Sequence, residues 1–193
     1  MPANLDYTLL KAAPPGGIYR SMSLKEEMKL KRDFATIAEE AMLNVIYTAE
    51  RWKKLSTTMY GHYGITPAQF NVLHLIYYQS ENHAGLTQAA ISEMMLVKPA
   101  NTTPLVDRLE ALGLVERTPV PEDRRFWRVV ITTKGVSVFK QANRIFYSRL
   151  RYVYDKLTEQ ELVTLVATLE KVRFHTTNFE PDYGEVASID KES

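Results

Sequence analysis

Short polar side chains that can contact nucleic-acid bases stand together near residue 100. Asn101, Thr102 and Thr103 lie at the predicted start of a helix. An asparagine amide can hold adenine through two hydrogen bonds, and a threonine hydroxyl can bond a base or touch a thymine methyl group. The alternative is that Asn101 and the threonines only cap the helix, although one residue can do both. These residue types favour contacts with base edges in a major groove.

Side chains suited to phosphate groups lie on both sides of this segment. They are Thr87 and Gln88 at the start of the preceding predicted helix, with Lys98 and Arg108. Arg124 and Arg125 occupy a predicted turn, and Arg117 and Arg128 flank the same hairpin. Exposed arginines at a turn suit a narrow minor groove, where the negative potential is enhanced. A solvated basic turn is the alternative for this pair, and Arg128 is a further candidate for a DNA contact.

Catalytic and metal-binding patterns are missing from the sequence. The chain has no cysteine, which excludes disulfides, a cysteine nucleophile and sulfur-dependent zinc sites. The histidines do not fall at metal-binding spacing; they are His62, His74, His83 and His175. There is no G-x-S-x-G segment, P-loop or G-x-G-x-x-G segment. We therefore expect no enzyme activity, no catalytic residue, no metal and no cofactor.

Length and composition are those of one ordinary folded domain. The chain has 193 residues, of which 45% are hydrophobic and 24% charged. It has no apolar run of about 18 residues and no basic segment followed by an apolar one at its start, so we expect a cytoplasmic protein without a membrane partner. Residues 178–193 contain five acids and one base, so residues 1–177 carry a charge of +5 within a total of +1. That balance permits an anionic partner without requiring one.

The elements that must position these side chains are mostly helical. Apolar residues recur every three or four positions from Phe34 to Met59, which predicts one helix from Leu24 to about Tyr60. Thr66-Pro67-Ala68-Gln69 is a capping box that opens the next helix. A short helix follows from Thr87 to about Leu96, and a tight turn joins it to a third helix that ends at Leu112. Two short helices joined by a tight turn form a helix-turn-helix unit.

Proline 104 and the segment after Gly113 complete this pattern. Pro104 is tolerated in a first helical turn but kinks a helix interior. The third helix therefore either starts late, with Asn101 as its cap, or starts near Pro99 and kinks at Pro104; we favour the late start. Strands at 114–118 and 126–131 predict a two-stranded hairpin. A long helix then runs from Thr132 or Thr133 through Tyr154, and a capping box at Thr158 opens the last helix.

The fold class is therefore mainly α with a small β-hairpin wing, a winged helix-turn-helix flanked by long terminal helices. Its predicted parts are an extended arm (1–22), an N-terminal helix (23–62), the winged helix-turn-helix (63–135), C-terminal helices (136–177) and an acidic tail (178–193). Three alternatives remain for the arm: disorder, exchange between two chains, or a second DNA contact through Lys11 and Arg20.

Five segments of the chain resemble the MarR family of bacterial and archaeal transcription regulators, in the same order and spacing. They are ITPAQF at 65–70, LTQAAISE at 86–93, VDRLEALGLV at 106–115, DRR at 123–125 and ITTKG at 131–135. The resemblance covers roughly residues 34–173. It implies a homodimer whose long terminal helices interlock, and double-stranded DNA with an inverted repeat as the partner. It also implies that Asp123 supports the wing while Arg125 reaches DNA.

The same resemblance implies a small-molecule effector, bound between the first helices, the DNA-binding lobe and the dimerisation helices. The candidate residues are Tyr47, Arg51, Trp52, Phe70 and His74. Aromatic walls with one cation suit an aromatic carboxylate. Because aromatic residues at helical spacing are also typical of a core, a purely structural role is the alternative.

The leading hypothesis is thus a dimeric regulator, most simply a repressor whose operator affinity falls when a ligand binds. The alternative is a winged-helix module that binds protein and lacks specific DNA binding. Salt dependence separates the two, because DNA binding weakens steeply as salt rises.

Overall fold

The computed structural model describes residues 22–81, 84–95, 102–120 and 126–179. Its elements in chain order are α1 (Leu24–Glu27), α2 (Ile37–Gly61), α3 (Pro67–Gln79), β1 (Leu86–Thr87), α4 (Gln88–Met94), α5 (Thr103–Ala111), β2 (Val115–Pro119), β3 (Trp127–Ile131), α6 (Thr133–Tyr154) and α7 (Glu159–Thr177). The chain divides into two compact units, residues 1–148 and 149–193. The mainly helical fold with a small wing is confirmed.

The N-terminal helix is interrupted, so the prediction of one helix from Leu24 to about Tyr60 is wrong. α1 ends at Glu27, and α2 begins only at Ile37. Lys29 has a φ of 56°, a left-handed conformation that right-handed helices exclude. Thr36 caps α2 by accepting a hydrogen bond from the Glu39 N–H at 3.1 Å. The apolar period begins only at Phe34, so it did not support extending the helix back to Leu24.

The start of α3 follows the sequence pattern. The Thr66 hydroxyl accepts a hydrogen bond from the Gln69 N–H at 3.2 Å, and Gln69 Oε1 accepts one from the Thr66 N–H at 2.8 Å. Pro67 occupies the first turn, where a missing N–H costs no helical hydrogen bond. The predicted capping box is therefore confirmed, and it fixes where the central helix of the fold begins.

The core lies within the winged-helix part of the chain. Its largest fully buried side chains come from α3, α4, α5, β2, β3 and α6. They are Val72, Leu73, Ile76, Ile91, Val106, Leu109, Val115, Val129 and Phe139. Each helix and strand of the winged helix-turn-helix except the two-residue β1 thus contributes a fully buried side chain, so this region closes its core within one chain.

The sheet has three strands, in the order β1-β3-β2, where the sequence predicts only two. The antiparallel pair β2–β3 runs from Val115 opposite Ile131 to Pro119 opposite Trp127. β1 adds the pair Thr87 opposite Arg128. The sequence does not predict β1, because two residues are too few to show a period-2 alternation.

Helix α5 begins at Thr103 with Pro104 in its first turn, so the predicted late start is confirmed. The residue at the cap position is Thr102 rather than Asn101, and it makes no side-chain capping bond. A first-turn N–H has no partner inside the helix, so the proline removes no hydrogen bond. Gly113 follows the helix with a φ of 68°, as a C-terminal glycine does.

The end of α5 is joined to the start of α6 by side chains. The Thr132 hydroxyl donates to the Gly113 carbonyl at 2.7 Å and accepts from the Gly135 N–H at 3.0 Å. Lys134 Nζ donates to the Leu112 carbonyl at 2.8 Å. These bonds satisfy carbonyls that a helix end leaves unpaired. Helix α5 and the first turn of α6 are therefore held together directly.

Helix α7 buries none of its residues, although many of them are apolar. Its own start is well defined, because Thr158 and Glu161 form the predicted capping box. The exposed apolar side chains of α7 include Val163, Val166, Val172 and Phe174. Separately, α2 exposes Ile37, Met42, Val45 and Ile46. Both helices thus present apolar surface that the described chain does not cover.

Candidate nucleic-acid interface

The first residues of α4 and α5 meet through their side chains. Gln88 Nε2 donates a hydrogen bond to Thr103 Oγ1 at 3.1 Å. Thr87 caps α4 by accepting from the Ala90 N–H at 3.2 Å. Three residues that the sequence assigns to DNA contact therefore lie together where the two helices of the helix-turn-helix begin.

Two further predicted residues are basic side chains near this surface. Arg128 lies opposite Thr87 in the β1–β3 pair, which brings the base of the wing next to the start of α4. Its side chain is partly buried. Arg108 is exposed on α5. Arg128 thus lies near Thr87 and Gln88, and the exposed side chain of Arg108 is accessible to a phosphate group.

Thr102 does not take the position that its place in the sequence predicts. It is 6% exposed, and its hydroxyl has no hydrogen-bond partner among the described residues. A hydroxyl buried to this extent does not face solvent in this conformation, and the base contact assigned to Thr102 stays a prediction. The Thr102 backbone is helical, with a φ of −78° and a ψ of −24°, and α5 starts at the next residue.

The remaining predicted residues of this interface lie outside the described ranges. They are Lys98, Asn101, Asp123, Arg124 and Arg125. The roles assigned to them stay predictions.

Arg117 on β2 forms a polar cluster that the sequence does not reveal. Its Nη2 donates to Asp107 Oδ1 at 2.6 Å, and its Nη1 donates to Glu110 Oε2. Nη2 also lies 3.4 Å from Gln88 Oε1, and the Arg117 backbone N–H donates to Glu110 Oε1 at 3.2 Å. Burial acts against the charge, but the two carboxylates outweigh it and raise the pKa of Arg117. The partners stand 7, 10 and 29 residues away, so no local spacing signals the cluster.

The candidate ligand residues form two groups on different helices. On α2, the Arg51 guanidinium lies 5.9 Å from the centre of the Tyr47 ring, within cation–π range. Trp52 is partly buried on the same helix. On α3, the rings of Phe70 and His74 are 6.0 Å apart. The arginine with its aromatic neighbour is thus present, as the sequence suggests.

Phe70 is a core residue rather than a free cavity wall. It is 6% exposed, and its ring stacks on Tyr60 with centroids 4.2 Å apart. Phe139 stacks on it at 5.7 Å. A ligand could reach Phe70 only by displacing these rings, so the structural alternative holds for this residue.

His74 is half-buried beside two residues that the sequence analysis does not single out. Its ring centre is 4.8 Å from that of Tyr78, and burial lowers the pKa of His74. Asn143 on α6 donates from Nδ2 to the Tyr78 hydroxyl at 3.1 Å. Asn143 is buried, and its Oδ1 has no partner among the described residues. The contact joins residues 65 positions apart, which sequence spacing cannot show.

Comparisons with known proteins agree with this geometry. A MarR family model matches residues 63–125. The multiple antibiotic resistance protein MarR of Escherichia coli K12 is 35% identical over 109 residues, covering 56% of this chain and 73% of that protein. The transcriptional repressor MdtR of Bacillus subtilis is 33% identical over 100 residues, covering 52% of this chain and 62% of MdtR.

A solved structure shows that this similarity extends to the three-dimensional fold. A cysteine-to-serine variant of Escherichia coli MarR in complex with operator DNA superposes with a TM-score of 0.58 and 27% identity, covering 78% of this chain and 99% of that one. The chain belongs to the MarR family. It is a DNA-binding transcription regulator of MarR type and not an enzyme.

The family match and the helix-turn-helix lie in the same part of the chain. The family model covers residues 63–125, which include α3, β1, α4, α5 and β2, and it does not extend to α2, β3, α6 or α7. Within the described ranges, no cluster of three His, Cys, Asp or Glu residues can hold a metal ion. Across those same ranges, no helix is both long and apolar enough to cross a lipid bilayer.

Proposed function

We propose that this MarR-family chain is a homodimeric repressor that binds an inverted-repeat operator and releases it when a small aromatic carboxylate binds. The observation that carries the proposal is the meeting of Gln88 and Thr103 at the starts of α4 and α5, with Arg128 beside them. These side chains form a polar and basic edge suited to a DNA groove. A MarR variant of similar fold binds operator DNA, and the relative MdtR is a repressor by name.

The unburied face of α7 supports the dimer. Leu165, Val166 and Val172 are exposed along one side of this helix. Several large apolar side chains exposed on one helix are the kind of surface that an interaction partner covers. In a dimer, two recognition helices read half-sites one helical turn apart when they are about 34–36 Å from each other.

Arg51 supports the ligand. Its guanidinium is exposed on α2 and lies next to an aromatic ring. A carboxylate can pair with the guanidinium while its ring packs on the aromatic neighbour. A ligand that binds better when the recognition helices are misaligned shifts the population away from the DNA-competent form.

Selection from a random pool of DNA duplexes at about 150 mM salt tests operator binding. We expect enrichment of an inverted repeat with half-sites about 10 base pairs apart. Sedimentation of the same sample should show a dimer. A folded dimer that enriches no sequence would contradict operator binding and favour the protein-binding module.

Benzoate and its ring-substituted derivatives test the effector. We expect them to lower affinity for the selected operator with the unmodified chain but not with Arg51→Met. Arg144→Met is the matched control, because Arg144 is an exposed arginine on α6. An equal response of both variants would remove Arg51 from the site, and a response from neither variant nor the unmodified chain would contradict an aromatic carboxylate.

A further inference from the structure

The recognition helix carries two carboxylates that are unfavourable for DNA binding. Asp107 and Glu110 stand three residues apart on α5, so they lie on one face of the helix. Their side chains are 56% and 39% exposed. A helix that enters a groove between phosphates would meet repulsion from both groups unless a cation offsets them.

Arg117 supplies that cation from β2. The guanidinium donates to both carboxylates, through Nη2 to Asp107 and through Nη1 to Glu110. Its backbone N–H adds a second bond to Glu110. An arginine that binds two carboxylates through its planar fork is fixed in direction as well as in charge.

The same guanidinium reaches the start of both helices. Gln88 Oε1 lies 3.4 Å from Nη2, and the other end of that amide donates to Thr103 at 3.1 Å. Arg117 therefore connects the middle of α5, the first residue of α4 and, through it, the first residue of α5. Its own side chain is only 22% exposed, so its donors are directed into the protein.

We infer that Arg117 is a positioning residue that sets sequence specificity: it fixes the recognition helix against the wing and neutralises Asp107 and Glu110, without contacting DNA. This inference rests on the proposed operator binding. It separates Arg117 from Arg124 and Arg125, whose predicted role is contact with DNA.

Binding measurements on Arg117→Met test the inference. We expect affinity for the selected operator to fall about tenfold, the size of one mismatched base pair, because the helix loses its fixed placement. Affinity for an unrelated duplex should fall much less. The slope of log affinity against log salt should stay within about half a unit, since a lost phosphate contact would lower it by about 0.9. Arg144→Met controls for the lost charge.

Neutralising the carboxylates supplies the second measurement. Asp107→Asn with Glu110→Gln should change operator affinity little when Arg117 is present, because the amide oxygens still accept from the guanidinium. In Arg117→Met the same pair should restore the part of the loss that comes from uncompensated carboxylates, while the part that comes from lost placement of the helix remains. Such coupling between neighbours is what a double-mutant cycle detects. Additive effects, a salt slope reduced by about one unit, or equal losses on operator and unrelated DNA would each overturn the inference.

A measurement without DNA keeps this inference distinct from the proposed function. Amide hydrogen exchange in α5 should be faster in Arg117→Met than in Arg144→Met, because the helix is less firmly held. If the unmodified chain binds no operator, the proposed function fails whatever the exchange shows. If the unmodified chain binds the operator but amide exchange in α5 is the same in Arg117→Met as in Arg144→Met, only the role of Arg117 is overturned. Arg117→Lys, which keeps the charge but loses the fork, serves if the methionine variant does not fold, and it should show the same changes in smaller degree.

Discussion

Apolar side chains are buried in the winged-helix core but exposed on α7. Phe139 and Leu73 are fully buried among neighbours from the same chain, whereas Phe174 on α7 is 65% exposed and α7 buries nothing. Yet both regions begin their helices with complete capping boxes, at Thr66 and at Thr158. The difference teaches that local signals set where a helix begins, while its burial depends on which surface is available to cover it.

The largest effect should come from emptying the closed core. Phe139→Ala removes a ring that contacts Phe70 at 5.7 Å and Tyr77 at 4.7 Å. We expect a loss of about 3–5 kcal/mol in unfolding free energy, from lost burial and the cavity left behind. Urea unfolding at several protein concentrations measures it. Phe174→Ala is the control, because this side chain is exposed on α7. A comparable loss of unfolding free energy in Phe174→Ala, independent of protein concentration, would contradict the difference between the two regions.

Overfilling the same region should have the next largest effect. A Cβ at Gly135 would lie 1.9 Å from the Leu114 carbonyl oxygen, which is backbone and cannot rotate away. We expect Gly135→Ala to cost about 1–3 kcal/mol by forcing apart the first turn of α6 and the chain after α5. Thermal unfolding measures this cost. Gly61→Ala is the control, since nothing lies within 4 Å of a Cβ there.

The open face of α7 should show its effect only in association. Val166→Asp places a charge on the exposed apolar side of the helix. We expect dimer affinity to fall tenfold or more, about 1.4 kcal/mol or more, because the charge must be desolvated on association. Analytical ultracentrifugation measures it. Thr168→Asp adds the same charge on the opposite face, and equal weakening by both substitutions would mean that α7 has no special face.

The smallest expected effect is the dependence of stability on pH through His74. Burial lowers the pKa of His74 below its ordinary value of 6.5, so the unfolded chain binds a proton more readily than the folded one. Stability should therefore fall as the pH drops below about 6.5 and stay constant above it. His74→Phe should reduce this loss between pH 7 and 5 in urea titrations. An unaltered pH profile in that variant would assign the acid sensitivity to other groups.

Sequence patterns predicted the parts of this fold whose causes are local. The capping boxes, the first-turn position of Pro104 and the glycine after α5 each depend on residues within one helical turn. The break before α2 was missed because the apolar period begins only at Phe34, and the helix was extended from there back to Leu24 without a periodic signal. β1 was missed because its only signal is backbone pairing with β3, 41 or more residues away.

The candidate interface was predictable to the same extent. Residue types near the helix starts identified Gln88 and Thr103, and the structure joins them. The burial of Thr102 could not be predicted from its residue type. Arg117 could not be distinguished from a surface arginine, because its partners come from α4 and α5 and meet it only after folding.

The joint between α5 and α6 has a consequence for how the wing can change in length. Thr132 and Lys134 hold the last carbonyls of α5, so both ends of the intervening chain are fixed. The β2–β3 ladder then runs outward from the Val115–Ile131 pair to the Pro119–Trp127 pair. An insertion near the joint would pull the helices out of register, whereas paired additions beyond Pro119 would lengthen the ladder by whole two-residue steps. The length of the ladder can therefore change in this chain while the contacts between α5 and α6 stay the same.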